Sequence, residues 1–316
     1  MASVLRHDVS RSEYKNLGKS GFLDPVGQIV TSFATGSGTL IEKNWVLTAA
    51  HVVDDTGSAR FKVGNKTYRS DHIFIRDGWD GSVSTSARDD LALVRLTKDV
   101  SNVKPAKLNT RKNITGSVAV SAGFGRSGDG LTGMVTGSKY FAGMNVIDKT
   151  EAGGRVLLTD FDHPDDPGQS QFGDDTPLAL EAMIGSGDSG GGMFVKHNKG
   201  WRLAGVHSFG RFPDGVFDSD YGDIGGHVSV AHHLNWIKRT IAATERRLAN
   251  GRKIDEPKYT WVRGSGGRGA LGLDDSGSAF AGASGAIAVP EPSTALACLA
   301  GLGLLARRRG RPDGLR

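Results

Sequence analysis

From Gln28 to Thr48 the chain alternates short apolar runs with turn residues too quickly for helices to form. The order is Gln28-Ile29-Val30-Thr31-Ser32-Phe33, Ser37-Gly38-Thr39-Leu40-Ile41, a Glu42-Lys43-Asn44 turn, and Trp45-Val46-Leu47-Thr48. Runs of this length, rich in β-branched residues and bounded by turn formers, read as strands of a meander. The same punctuation returns at Ala59 to Val63, an Asn65 turn, Thr67 to Ile75 and Val118 to Ala122. Forty-six glycines among 316 residues supply the turns such a fold needs, so the expectation is an all-β architecture. Hydrophobic residues at 38% suffice for a buried core. Cys298 is the single cysteine, so no internal disulfide can staple the fold. The formal charge of +5 is small and sits partly in Arg307-Arg308-Arg309 and Arg311, which gives no reason to expect a nucleic-acid partner.

On this background Gly187-Asp188-Ser189-Gly190-Gly191 stands out chemically. A serine hydroxyl attacks a carbonyl well only with a base to take its proton and donors to hold the oxyanion. With no Cβ at Gly187, its N–H and that of Ser189 can converge on one point, and Gly190 and Gly191 let substrate come close. A base is offered by His51, delivered at the end of the run Trp45 to Ala50. An acid to orient it is offered by Asp89 or Asp90, at the head of the alternating strand Leu91 to Leu96.

The segments LTAAH, DLAL and GDSGG, in that order, resemble the His, Asp and Ser motifs of the chymotrypsin/trypsin family of serine proteases. The resemblance runs from about Val26 to Ala249 and implies two antiparallel six-stranded β-barrels, meeting near residues 109–116, and a closing C-terminal helix. It implies an endopeptidase that forms an acyl-enzyme on Ser189, with His51 as base, Asp90 as its orienting acid, and Gly187 and Ser189 forming the oxyanion hole. Asp90 is preferred to Asp89 because it directly precedes the Leu-Ala-Leu strand. Val118 to Gly125 resembles the opening of the second barrel. Ser208-Phe209-Gly210 resembles the segment that pairs with an extended peptide substrate, and Gly225 to Val230 the last strand walling the specificity pocket. In this family specificity depends on the residue six before the nucleophile, here Met183, with Glu181 close by; an apolar thioether disfavours Arg and Lys. No metal or organic cofactor is implied. The family's Ile-Val-Gly-Gly terminus, which pairs with the acid before the serine, here Asp188, has only Pro25-Val26-Gly27 as its counterpart.

Residues outside that span differ in kind. Met1 to Leu23 is polar and mixed, without the pattern of a signal peptide, so an export leader is expected upstream. Within the span, by contrast, Ala231 to Leu248 carries Leu234, Ile237, Ile241 and Ala242 on one helical face, as a closing helix would. Residues 251–288 are rich in Gly, Ser and Ala and read as a disordered linker. Residues 289–310 resemble a PEP-CTERM sorting signal, in which Pro290-Glu291-Pro292 precedes a short hydrophobic tail helix and a basic stop. That apolar run is shorter than the ~20 residues that span a bilayer. The signal implies transient membrane insertion of the tail, an exosortase-type processing partner, and export to the surface or extracellular matrix of a Gram-negative bacterium.

Other readings are weighed beside these. The acidic loop Asp160 to Thr176 invites calcium, but spaced carboxylates on a solvated loop are usually only that. His232 and His233 are adjacent on a helix and point apart, which argues against a shared metal. His207 and His227 read as structural histidines near the substrate strand. A non-catalytic binding module on this scaffold would be free to lose triad residues, and an esterase would not need a substrate strand.

Overall fold

A computed structural model describes residues 3–135, 141–173, 175–198, 200–254 and the pair 287–288. The elements before the first barrel are β1 (Val4–Leu5) and α1 (Arg11–Gly18). Six strands then close on themselves: β2 (Val26–Val30), β3 (Thr35–Glu42), β4 (Trp45–Thr48), β5 (Arg60–Val63), β6 (Lys66–Ile75) and β7 (Ala92–Leu96), with α2 (Val83–Ser86) between the last two. The barrel order is β2-β3-β4-β7-β6-β5. Alternation drives it: in β5, Phe61 and Val63 are buried while Arg60 and Lys62 face out. Where strands crowd, glycine is required, since a Cβ on Gly27 would lie 2.5 Å from the Lys62 carbonyl oxygen.

The second half contains β8 (Val118–Ala122), β9 (Ser127–Asp129), β10 (Gly133–Val135), β11 (Ala142–Val146), β12 (Lys149–Glu151), β13 (Val156–Asp160), β14 (Ala182–Met183), β15 (Gly192–His197), β16 (Gly200–Arg211) and β17 (Ile224–Ser229). Its main sheet runs β11-β8-β15-β16-β17-β13-β12 and stays open, a half-barrel where the resemblance implied six closed strands. A four-stranded sheet, β10-β9-β1-β14, lies beside it. The connection between the halves is anchored on β16, where Asn109 N–H donates to the Leu203 carbonyl at 2.8 Å.

Residues 1–25 are more than a leading segment. β1 pairs parallel with β9 and antiparallel with β14, bringing Val4 opposite Met183. Tyr14 of α1 is fully buried, and its hydroxyl donates to the Glu181 carbonyl at 2.9 Å. The closing helix α3 (Val230–Ala249) buries Val230, His233, Ile237 and Thr244. Ala242 is exposed instead of joining that stripe, because it follows Ile241 by one residue and so lies about 100° round the helix. Glu245 of α3 accepts from Trp45 Nε1 in the first barrel at 3.0 Å, so the helix ties the halves together. Among the described residues no helix is long and apolar enough to cross a membrane. Most of the linker and the whole of 289–310, tail helix included, lie outside the described residues. The last linker residues, Ile287–Ala288, form β18, which pairs antiparallel with β16.

Candidate active site

The end of β4 and the turn after it carry His51 into the cleft, and the turn before β7 carries Asp90 to meet it. Asp90 is completely buried. Its Oδ1 accepts the His51 backbone N–H at 2.9 Å, and its Oδ2 lies 2.7 Å from His51 Nδ1. An ionised carboxylate can only accept, so the proton sits on Nδ1 and Nε2 of the neutral ring is left as the basic nitrogen. A third donor reaches the same carboxylate: Ser208 Oγ–H donates to Asp90 Oδ2 at 2.5 Å. Ser208, expected to serve substrate through its backbone, is seen here holding the acid with its side chain. Asp89 turns elsewhere, 3.6 Å from Arg76 Nε and 3.4 Å from Arg88 Nε. Trp79, whose indole donates to Asp54 at 2.7 Å, packs its ring 6.4 Å from that of His51.

Ser189 is fully buried on the turn between β14 and β15. Gly187 and Gly190 take φ of +90° and +80°, the region glycine visits without penalty. A Cβ on Gly190 would meet Thr48 Oγ1 at 2.1 Å and the Ser37 carbonyl oxygen at 2.2 Å, so this turn presses directly on the first barrel. Asp188 is held from two sides, accepting Gly125 N–H on Oδ1 and Gly185 N–H on Oδ2, both at 2.9 Å.

Sequence reasoning missed Ser37. Its N–H donates to the Ser189 carbonyl at 2.7 Å, its hydroxyl donates to the Gly187 carbonyl at 3.0 Å, and that hydroxyl accepts Phe124 N–H at 2.7 Å. One buried serine therefore joins the first barrel, the turn that carries Ser189 and the opening of the second half. A polar residue facing inward on a strand was the available signal, but it does not say what the residue binds.

Gly225 and Met183, two of the residues expected to line a specificity pocket, lie close together. A Cβ on Gly225 would lie 2.8 Å from Thr159 Oγ1, 3.2 Å from His227 Nε2 and 3.4 Å from Met183 Sδ. Glu181 turns away from that point, since its Oε1 accepts Asp162 N–H at 2.8 Å and its Oε2 accepts Leu178 N–H at 2.5 Å. Burial pushes its carboxyl up to about 8. His207 and His227 form a buried pair, Nδ1 to Nδ1 at 2.9 Å. Burial takes His207 down to about 3 and lowers His227 as well, so both rings are neutral at pH 7. Phe209 and Gly210 lie in β16, paired on one side with Gly226 and Gly225 and on the other with Ala288 and Ile287.

The remaining candidates are engaged structurally. Asp160 Oδ2 accepts Gln171 N–H at 2.5 Å and Phe172 N–H at 3.2 Å, so the acid at the head of the suspected calcium loop is spent on folding that loop. His232 Nδ1 meets Ser229 Oγ at 3.0 Å and His233 Nδ1 accepts from Arg76 Nε at 3.3 Å, so the two histidines serve different partners.

A closed β-barrel that seats His51 on the buried Asp90, beside a half-barrel that carries Ser189 on a glycine-rich turn, is the architecture of a serine hydrolase of the two-barrel type. The Trypsin family model matches residues 26–237, and the chain belongs to that family: it is a serine-type endopeptidase. The PEP-CTERM protein-sorting motif matches residues 288–311. Venom plasminogen activator Haly-PA of Gloydius brevicauda is 29% identical over 226 residues, 65% of this chain and 77% of that protein. Snake venom serine protease KN14 of Trimeresurus stejnegeri is 26% identical over 244 residues, 72% and 85% of the two chains. A shorter match, 35% identical over 88 residues, is to the Calcium-dependent serine proteinase of Mesocricetus auratus, and spans 23% of this chain and 13% of that protein.

Proposed function

We propose that Ser189 is the nucleophile of an exported endopeptidase and forms an acyl-enzyme with the carbonyl of an extended peptide. His51 Nε2 takes the Ser189 proton and passes it to the leaving amine, while Asp90 holds the ring in that tautomer and stabilises its charged form. The N–H groups of Gly187 and Ser189 receive the oxyanion. The observation that carries this reading is the three-donor arrangement on buried Asp90, from His51 N–H, His51 Nδ1–H and Ser208 Oγ–H. An ion so placed has no better use than to orient and charge the imidazole.

The substrate strand lies along Ser208-Phe209-Gly210, and the pocket behind it is walled by Gly225 and closed by Met183. With Glu181 committed to backbone amides, no carboxylate is offered to a Lys or Arg side chain from Met183 or its neighbour, and burying such a charge unpaired costs several kcal/mol. Residues 289–310 act as the address, cut by an exosortase-type enzyme after transient insertion of the apolar run, with the protease displayed at the cell surface or in the matrix.

The test is labelling with a fluorophosphonate probe followed by peptide-library profiling. Wild type should label at Ser189 and cleave peptides with little Arg or Lys at the cleaved bond, and Ser189→Ala should do neither. Proteolysis by the Ser189→Ala protein would remove the assignment.

A further inference from the structure

The turn leading into β17, and so into the pocket wall, gathers three carboxylates. Asp218, Asp220 and Asp223 each bring an oxygen within 4.8 Å of the others. Asp223 is 1% exposed, and its Oδ2 has no hydrogen-bond partner among the described residues. None of the three enters an ion pair among the described residues. Three carboxylates held this close repel one another. Relief by moving apart is blocked, because the turn is bonded at several points. Met134 N–H donates to the Asp218 carbonyl at 2.6 Å, Tyr221 N–H to Gly130 at 3.1 Å and Phe161 N–H to Asp223 at 3.0 Å.

Such a group is relieved either by protons or by a cation. The donor set is all oxygen, which suits a hard divalent ion and not zinc, whose sites draw on His and Cys. Ser219, between the first two acids, adds a buried hydroxyl with no partner among the described residues, and it takes a φ of +63°, a strained value outside glycine. We propose that Asp218, Asp220 and Asp223 form a calcium site that fastens the turn before β17. Calcium fits better than magnesium because it accepts six to eight oxygens in irregular geometry, where magnesium demands a near-ideal octahedron. In a chain without a possible internal disulfide, a cation is an available means of cross-linking this turn.

The experiment uses the whole chain, stripped with EDTA, and follows calorimetric titration and thermal unfolding, neither of which depends on peptidase activity. Calcium should bind one per chain with a Kd of about 10⁻⁴ to 10⁻³ M, as in extracellular calcium modules, and raise the Tm. Magnesium should bind at least tenfold more weakly. Asp223→Asn should remove both the heat and the rise in Tm; should that variant fail to fold, the half-buried Asp220→Asn carries the same expectation. No heat and no change in Tm at about 10 mM calcium, well above that range of Kd, overturns the site, as does an undiminished response in Asp220→Asn.

A different observation carries a second inference. Ile287–Ala288 pairs with the free side of the segment assigned to substrate, Gly210 opposite Ile287 and Phe209 opposite Ala288. The pairing is antiparallel, so this piece of chain runs toward Ser208 and the Asp90 carboxylate, the polarity a substrate needs to bring a carbonyl to Ser189. Ile287 follows Ile254 by 33 positions on the same chain, so the encounter of this pair with β16 is intramolecular. We infer that the end of the linker occupies the enzyme's own peptide-binding edge and competes with substrate in cis.

The full chain carrying Ile287→Pro and Ala288→Pro, which removes both N–H donors from the added strand, tests it. The KM for a short peptide should fall several-fold at unchanged kcat, and amide exchange across 207–211 should quicken. The kinetic half rests on the protease reading, whereas the exchange half does not. Unchanged exchange overturns the inference whatever the activity, and quickened exchange in a protein that cleaves nothing counts against the protease reading alone.

Discussion

Replacing Ser37 with alanine removes one oxygen atom and should disturb both stability and catalysis. That oxygen donates to the Gly187 carbonyl at 3.0 Å and accepts from Phe124 N–H at 2.7 Å, and Ser37 is fully buried. In Ser37→Ala a buried carbonyl and a part-buried amide each lose a partner, at about 1–3 kcal/mol apiece, so the expected loss is roughly 2–6 kcal/mol. Urea unfolding of wild type and variant, fitted with a common slope, measures it. The Gly187 carbonyl belongs to the turn proposed to hold the oxyanion, so the variant should also lose kcat, while KM for a peptide bound along β16 changes little. A variant within about 0.5 kcal/mol of wild type, with unchanged kcat, would show that Ser37 does not join the two halves as argued.

Ser189→Ala and His51→Ala should each abolish peptide hydrolysis, and the double variant should be no worse than either, as expected of residues that act as a unit. The raised carboxyl of Glu181, about 8 against roughly 4.3 unfolded, means the folded state holds a proton that the unfolded state releases. Its stabilising contribution is therefore complete below about pH 4 and is lost as pH rises through about 8; Glu181→Gln should flatten this part of the stability-against-pH curve, and an unchanged curve would count against it. Gly190→Ala, with φ of +80° and Thr48 Oγ1 2.1 Å from the new Cβ, should cost about 2–5 kcal/mol and most probe labelling; a stable, fully labelled variant would contradict the tight apposition of turn and barrel. Deletion after Ala288 should leave the Tm within error of wild type and cause release of the protein from its host's surface, whereas unfolding on deletion would place residues 289–316 in the fold.

What could be read in the sequence followed from how local the chemistry is. His51, Asp90 and Ser189 sit in short motifs whose residue types state their use, and the barrel strands announce themselves by alternation, as in β5. Ser37 was silent because its importance lies in partners 87 and 150 residues away. The first 25 residues misled for a related reason. β1 is two residues long, below any window in which periodicity shows, and only its neighbours β9 and β14 make it a strand. Acidic composition drew notice to Asp160 to Thr176, where Asp160 and Asp166 accept from backbone amides of the loop. The closely gathered carboxylates belong to residues 218–223, where a turn, invisible in composition, brings them together.

The surroundings of Asp188 bear on when such an enzyme becomes competent. The Ile-Val-Gly-Gly terminus of the family that the motifs resemble pairs with the acid at this position. Here the acid already holds the amides of Gly125 and Gly185. The residues ahead of Val26 supply β1, the strand laid against Met183 at the pocket's closed end. A cut at that junction would release β1 from Met183 and leave the two amide bonds that hold Asp188 in place, since neither Gly125 nor Gly185 lies ahead of Val26.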